Sequence, residues 1–370
     1  MSRLSISSLR SAPIFWRGRG AFLPALAAIL LVRLAAPAIL RAQDDTAGAI
    51  SREVKSVFER CGKAVVKIHA VDEHSELSGT GFFVDPTGTI YTSYSVGGDA
   101  DNFTVQFDGK KYHATQLMAD VRSGIALLKV DAATPFLPIG KSSSVGLATP
   151  VVAIGYPLDL PESPSFGMVA GFDRKYLGRY FSTTHVRVNL PTQRGEAGAP
   201  LLNFKGEVVG ILISSVDSGS ACYALPIDAA EKIRRDYIRF GDARHGWIGI
   251  DVQVADKSVE GSDAQMTQIR KDAPAADSGL EAGDMLLQVG NVPVHQPEDV
   301  IDASFFISAG DSVPITVMRG DQKMTFTVQA GAVVARPLVP AEGPNASEVM
   351  ALGPTKKTVV PLRLDSDKTP

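Results

Sequence analysis

The sequence predicts a mainly β protein of two or three domains. A chain of 370 residues with 45% hydrophobic content is long enough to bury more than one core. Its 34 glycines and 23 prolines separate many short apolar runs, the pattern of strands joined by turns. Few stretches carry the three-to-four-residue periodicity of a helix.

The runs are readable in order. In "SREVKSVFERCGKAVVKIHAV" Val54, Val57, Phe58 and Cys61 recur at helical spacing before the strand "AVVKIHAV". "GTGFFVDPTGTIYTSYSV" holds two β-rich runs joined at Asp85-Pro86-Thr87-Gly88. "FTVQFDGKKYHATQ" is a hairpin with Phe103, Val105 and Phe107 alternating and Asp108-Gly109 at its bend. "IALLKV", "VVAIGYP", "HVRVNL", "PLLNFKGEVVGILISS" and "CYALPI" continue the series, which points to a sandwich or barrel. A helix with Ile227, Ala230, Ile233 and Tyr237 follows Pro226. The polar "FGDARHG" at 240–246 marks a domain boundary, and a smaller unit runs from there to about 330. It contains "WIGIDVQV", a helix at "PEDVIDASFFI" and a hairpin turning at Gly320-Asp321. The divisions expected are 1–42, 43–240, 241–330 and a disordered tail from 331 to 370.

Residues 1–42 contain Arg3, Arg10, Arg17, Arg19, Arg33 and Arg41, no acidic residue, and the apolar run "AFLPALAAILLV". This is the pattern of an export signal ending near Ala42, with an uncleaved anchor as the alternative. Arg33 and Pro24 count against a spanning helix of about 20 apolar residues. The formal net charge of −3 gives no reason to expect a nucleic-acid partner. Cys61 and Cys222 are too few for a disulfide scaffold, leaving one bridge or two buried thiols. Neither cysteine has partners at zinc spacing, so no metal is expected. Gly97-Gly98 and the Gly167–Gly178 stretch read as barrel turns, without phosphate-loop spacing, and no cofactor is expected.

The order "SGTGFFVDPTGTIYTSYSV … DVRSGIALLKV … PVVAIGYP … GEAGAPLLNFKGEVVGI … YALPI" resembles the HtrA/Deg-type trypsin-like proteases. "WIGI … APAADSGLEAGDMLLQVGNVPV … PEDV" resembles the PDZ domain that follows in that family. The resemblance covers about 54 to 330 and implies a trypsin-like double β-barrel followed by a PDZ domain. It also implies a His-Asp-Ser triad, and here the sequence departs from the family. Ser95 stands where the family has histidine, Gly124 where it has aspartate, and Ala197 where it has the nucleophilic serine. Acyl transfer needs a nucleophile, a base to take its proton and a carboxylate to orient that base. A methyl, a hydroxyl and a hydrogen supply none of these.

Six histidines are present: His69, His74, His113, His185, His245 and His295. None stands at the triad place, and His69 and His185 read as ordinary strand residues. Ser214 and Ser215 read as hydroxyls ending a strand. Glu196, in place of the family's asparagine, reads as a solvated loop charge that would oppose an oxyanion. The backbone around Gly195, Glu196 and Ala197 retains the makings of an oxyanion-type loop. In the PDZ-like unit Trp247, Ile248, Gly249 and Ile250 are the expected carboxylate-binding loop and following strand. Val300 and Ile301 are the expected side-chain pocket, and a closed PDZ core is the alternative.

Two function classes follow. One is a non-catalytic envelope protein, periplasmic or membrane-tethered, that binds peptides or unfolded protein C-termini as scaffold, regulator or chaperone. The other is an active serine endopeptidase using displaced residues. An assembly protein without peptide binding is a weaker third. The resemblance also implies oligomers built on N-terminal aromatics. Phe58 is the only such residue evident, so a homo-oligomer and association with an active relative stay open.

Overall fold

The computed structural model describes residues 48–71, 75–216 and 219–332. The expected export segment at 1–42 and almost all of the expected tail lie outside them. The chain divides into two compact units, residues 1–53 and 54–370. Of the first, residues 48–53 are described, and they are helical. The second unit holds all of the other described residues.

That unit opens with helical residues 54–61, labelled α1. Twelve strands then close into two antiparallel barrels. The first is ordered β1 (Val65–Val71), β2 (Glu76–Phe83), β3 (Thr89–Ser93), β6 (Ile125–Val130), β5 (Lys110–Asp120), β4 (Asn102–Phe107). The second is ordered β10 (Pro200–Leu202), β11 (Val208–Val216), β12 (Ala221–Pro226), β9 (Arg179–Val188), β8 (Ser163–Tyr176), β7 (Pro150–Gly155). Closure leaves no edge strand with unpaired backbone groups.

The sequence explains the strand placement. Phe103, Val105 and Phe107 of β4 point inward on alternate positions. Asp108 and Gly109 turn that hairpin with φ of 50° and 69°, both in the left-handed region a two-residue turn requires. β6 shows no alternation because both of its faces are covered. Leu128 and Val130 pack in one apolar cluster, Ile125 and Leu127 in the other. The second cluster draws on both barrels and on helix α3 (Ile227–Phe240) through Ile227, Ala230 and Ile233.

Several expectations need correction. "TSYSV" does not stay extended: Ser93 caps a short helix α2 (Tyr94–Gly97) by accepting from Ser95 N, so Gly97 lies in a helix rather than a turn. The Gly167–Gly178 stretch is mostly the long strand β8, and only Leu177-Gly178 turns. Gly167 is needed for close approach, since a Cβ there would sit 2.8 Å from Asn189 O. Ser214 and Ser215 lie inside β11, paired with Tyr223 and Cys222, rather than at a strand end. Of the two alternatives left for the cysteines, two buried free thiols are found at Cys61 and Cys222, as expected.

The smaller unit is a six-stranded sheet ordered β14 (Ile250–Val259), β15 (Ser262–Ile269), β16 (Met285–Val289), β18 (Ser312–Arg319), β19 (Gln322–Gln329), with β17 (Val292–Pro293) paired to β16. Helix α4 (Pro297–Phe305) packs against it. A two-stranded ribbon, β13 (Gly246–Trp247) with β20 (Gly331–Ala332), carries the order two residues past 330, into what the sequence assigned to the tail.

The unit is anchored to the barrels at several places. Phe305, at the end of α4, is fully buried in the barrel cluster, with Lys232 Nζ 5.8 Å from its ring centroid. Truncating such a phenylalanine costs about 3–5 kcal/mol. Asp302 of α4 accepts from Thr183 Oγ1 (3.0 Å), Thr184 Oγ1 (2.6 Å) and Arg174 Nε (3.0 Å), and Arg174 also pairs with Asp299. Ser308 Oγ donates to Asp236 Oδ1 of α3 at 2.6 Å.

Under this anchor lies His185, 3% exposed, stacked on Phe181 with centroids 4.3 Å apart. Its Nδ1 is 2.7 Å from Thr183 O. Burial lowers its pKa to about 4, against the opposing pull of that carbonyl and of Asp302. The unfolded chain therefore takes up the proton first as pH falls, and stability drops from about pH 6.5 down to about pH 4. At about 1.4 kcal/mol per unit the loss is about 3 kcal/mol. Urea titrations of His185→Phe across this range should show a pH slope flatter by that order than the native chain; identical slopes would refute the assignment.

Candidate functional site

The positions singled out by the sequence come together where the two barrels meet. Ser95 sits in the first turn of α2, its Oγ 2.9 Å from Ser93 Oγ. Tyr94 N donates to Gly124 O at 2.8 Å, which ties α2 to the residue preceding β6. Ala197 O accepts from Thr80 N of β2 at 2.9 Å, and Ala197 is fully buried. At the next residue, Gly198, a Cβ would meet Ser93 N at 2.7 Å, so the Ala197 loop lies directly on the end of β3.

The Ser95 hydroxyl is shared with another hydroxyl, and neither is a base near neutral pH. Gly124 has φ +77°, a left-handed conformation that costs a residue with a Cβ about 1 kcal/mol or more. The backbone at Gly124 has thus settled into a conformation suited to glycine. No described hydrogen bond joins a histidine nitrogen to a serine hydroxyl. His185 is held by a carbonyl, and His69 Nε2 lies 3.8 Å from Asp159. His245 Nε2 is 3.0 Å from both oxygens of Asp120, an acid–imidazole pair. Its Nδ1 is buried without a hydrogen-bond partner among the described residues.

Glu196 is a correction. It is 2% exposed, not a solvated loop charge. Its Oε2 accepts from Gln193 N at 2.5 Å, and its side chain packs beside Gly155, where a Cβ would lie 3.1 Å from Glu196 Cγ. The carboxyl therefore turns inward, and burial raises its pKa above the usual carboxylate value although the Gln193 N–H opposes this. Burial also pushes the Cys222 thiol up, with Glu196 adding to the shift. The surrounding backbone is well fixed. Arg194 O accepts from Leu158 N at 2.6 Å, and Gly195 O from Thr80 Oγ1 at 2.7 Å. Because a trans peptide sets C=O and N–H in opposite directions, the Gly195 N–H points away from Leu158.

The second place is in the smaller unit. Trp247, Ile248, Gly249, Ile250, Val300 and Ile301 all line one cleft of about 390 Å³. Ile248 O accepts from Ala275 N (3.1 Å) and Gly249 O from Arg270 N (2.9 Å). The same peptide geometry turns the N–H groups of Gly249 and Ile250 away from those donors. Gly249, at φ +81°, allows this turn. Three further residues line the cleft that sequence reasoning missed: Gly246, Ser304 of α4, and Arg122 from the first barrel. No local pattern marks Arg122, because it reaches the cleft only through the docking of the two units.

A larger cleft of about 920 Å³, lined by residues including Lys67 and Tyr112 of the first barrel and Tyr156 and Asp159 of the β7–β8 connection, opens between the two. Its central charges satisfy each other, with Lys67 Nζ 2.7 Å from Asp159 Oδ1. Among the described residues no group of three His, Cys, Asp or Glu is placed to hold a metal ion.

Glu196 yields a pH prediction. With the native pKa raised, folding favours the protonated acid, so its contribution to stability falls as pH rises from the ordinary carboxylate range through the raised value. Glu196→Gln keeps an acceptor for Gln193 N without the charge. Thermal unfolding should place the variant above the native chain at pH 8, with the gap closing towards pH 4. A variant equally destabilised at both pH values would contradict the buried-acid account.

Residues 79–211 match the trypsin-like peptidase domain family and residues 246–330 the PDZ domain family. A probable periplasmic serine endoprotease DegP-like of Pseudomonas fluorescens is 30% identical over 268 residues, 69% of this chain and 56% of that protein. One of the same description from Halomonas elongata is 30% identical over 290 residues, 74% of this chain and 61% of that protein. The chain thus spans about three fifths of the length of these relatives. Among solved structures, the HtrA-type protease AlgW with tripeptide superposes with TM-score 0.67 at 21% identity, covering 76% of this chain and 98% of that one. The serine endoprotease from Yersinia pestis gives 0.59 at 24%, covering 76% and 98%. The chain therefore carries a trypsin-like peptidase-type double barrel followed by a PDZ domain, in the arrangement of the HtrA/DegP-type proteins.

Proposed function

We propose that this protein is a non-catalytic HtrA-type member of the cell envelope that binds the C-termini of peptides or unfolded chains through its PDZ cleft, as scaffold, regulator or chaperone. The observation that carries the reading is the convergence of Ser95, Gly124 and Ala197 on one spot between the barrels. Each residue lacks the group that acyl transfer requires. The cleft lined by Trp247 to Ile250, Val300 and Ile301 keeps what peptide binding requires: turned-out N–H groups for a carboxylate and an aliphatic wall for the last side chain. The loop at Gly195, Glu196 and Ala197 keeps backbone N–H groups, while the Glu196 carboxyl turns inward to accept from Gln193 N. Export follows from the basic and apolar segment at 1–42 and agrees with the relatives' description as periplasmic.

A rival reading rests on those relatives being named endoproteases, and it requires displaced catalytic residues. The two separate cleanly. Sites stripped of a triad keep about 10³–10⁴-fold over water, far below useful proteolysis. Purified protein should cleave no casein and form no fluorophosphonate adduct. Ala197→Ser alone should change neither result, since the new hydroxyl has no base. Cleavage by the native chain that a serine-directed inhibitor stops would overturn the reading. On the binding side, decapeptides with hydrophobic C-termini should bind the full chain at roughly micromolar Kd, about −8 kcal/mol. Amidating the peptide terminus should abolish binding, and equal affinity for acid and amide would refute terminal recognition.

A further inference from the structure

Arg122 is a barrel residue that lines the PDZ cleft. It lies in the turn between β5 and β6, two residues before Gly124. The turn is held from both sides. Asp120 accepts from Ser123 N (3.0 Å) and Arg122 N (3.4 Å), and Gly124 N donates to Asp120 O (3.0 Å). His245, just before the Gly246–Ile250 loop of the cleft, bonds Asp120 through Nε2. One carboxylate thus fixes the backbone of Arg122 and the entrance of the cleft together.

The Arg122 guanidinium is unusual in what it lacks. No hydrogen bond or ion pair engages it among the described residues. Burial lowers its pKa from the ordinary arginine value, with Asp120 opposing this. Asp120 itself is already engaged with His245, Ser123 and the Arg122 backbone. Lys232 lies close enough for the two positive charges to repel, although Asp236 neutralises Lys232 at 2.8 Å. Placing a half-buried cation without a fixed partner costs free energy that a bound anion offsets. Arginine presents a planar fork of donors suited to a carboxylate.

We propose that the cleft is composite, with Arg122 of the barrel domain supplying the cation that receives the terminal carboxylate of a peptide bound between the Gly246–Ile250 loop and α4. The backbone N–H groups of Gly249 and Ile250 and the guanidinium then share that carboxylate, and binding reads the docked arrangement of the two domains. This rests on the peptide-binding reading above, and the test keeps the two apart.

The full chain is titrated, by fluorescence anisotropy, with a labelled decapeptide ending in Ala-Leu-Ala-Val, as free acid and as amide. A third probe is an amide carrying Asp at the penultimate position. Arg122→Gln should weaken the free acid about tenfold or more, the scale of a charge-assisted hydrogen bond, and leave the amide unchanged. Arg122→Lys should recover part of the loss. If the native chain binds acid and amide alike, the peptide-binding reading itself fails. If it discriminates and Arg122→Gln discriminates equally well, only the composite cleft fails. An equal loss on acid and amide would make Arg122 a packing residue. Arg122-dependent binding of the Asp amide without dependence for the free acid would reassign the cation to a side chain. Each of these last two outcomes overturns the proposal.

Discussion

The position of Asp120 is the constraint on which the functional geometry depends. Its carboxylate ends β5, closes the turn that leads into β6, and receives the imidazole of His245 from the segment before the PDZ domain. Burial alone would raise its pKa, yet the bonds from His245 and Ser123 hold it below the usual carboxylate value, so the charge is retained inside the joint. Through one short turn this charge fixes Gly124 towards the space between the barrels and Arg122 towards the peptide cleft. Breaking such a buried, shared acceptor leaves several donors without partners, a larger penalty than loss of one exposed ion pair.

The strands that bring Ser95, Gly124 and Ala197 together are intact, closed and packed on two shared cores. The loops have taken conformations of their own. Gly124 is left-handed, and Glu196 is folded inward against β7 rather than outward. A residue with a Cβ at position 124 would carry the cost of that left-handed conformation.

Much of the fold was legible because its signals are local. Asp108-Gly109, the inward Phe103, Val105 and Phe107, and the helix after Pro226 each depend on residues adjacent in sequence. Part of the PDZ cleft lining was legible for the same reason, since Trp247–Ile250 and Val300-Ile301 are contiguous stretches. What escaped depends on the third dimension. The inward turn of Glu196 is set by Gln193 N and the space beside Gly155, and the helix at Tyr94 by one serine cap. Strand β8 was hidden by glycines that serve close packing. Arg122 was invisible because its neighbours in the cleft lie more than a hundred residues away, brought to it by the docking of the two domains, to which Phe305 and the Asp120–His245 pair contribute.

The most direct test is a crystal structure of the full chain grown with a decapeptide of hydrophobic C-terminus. The account predicts an intact peptide with its terminal carboxylate about 2.9 Å from the N–H groups of Gly249 and Ile250 and from the Arg122 guanidinium. It predicts an empty space beside Ala197. A cleaved peptide or an acyl group in the groove between the barrels would contradict it, as would a terminus lying in solvent away from the cleft.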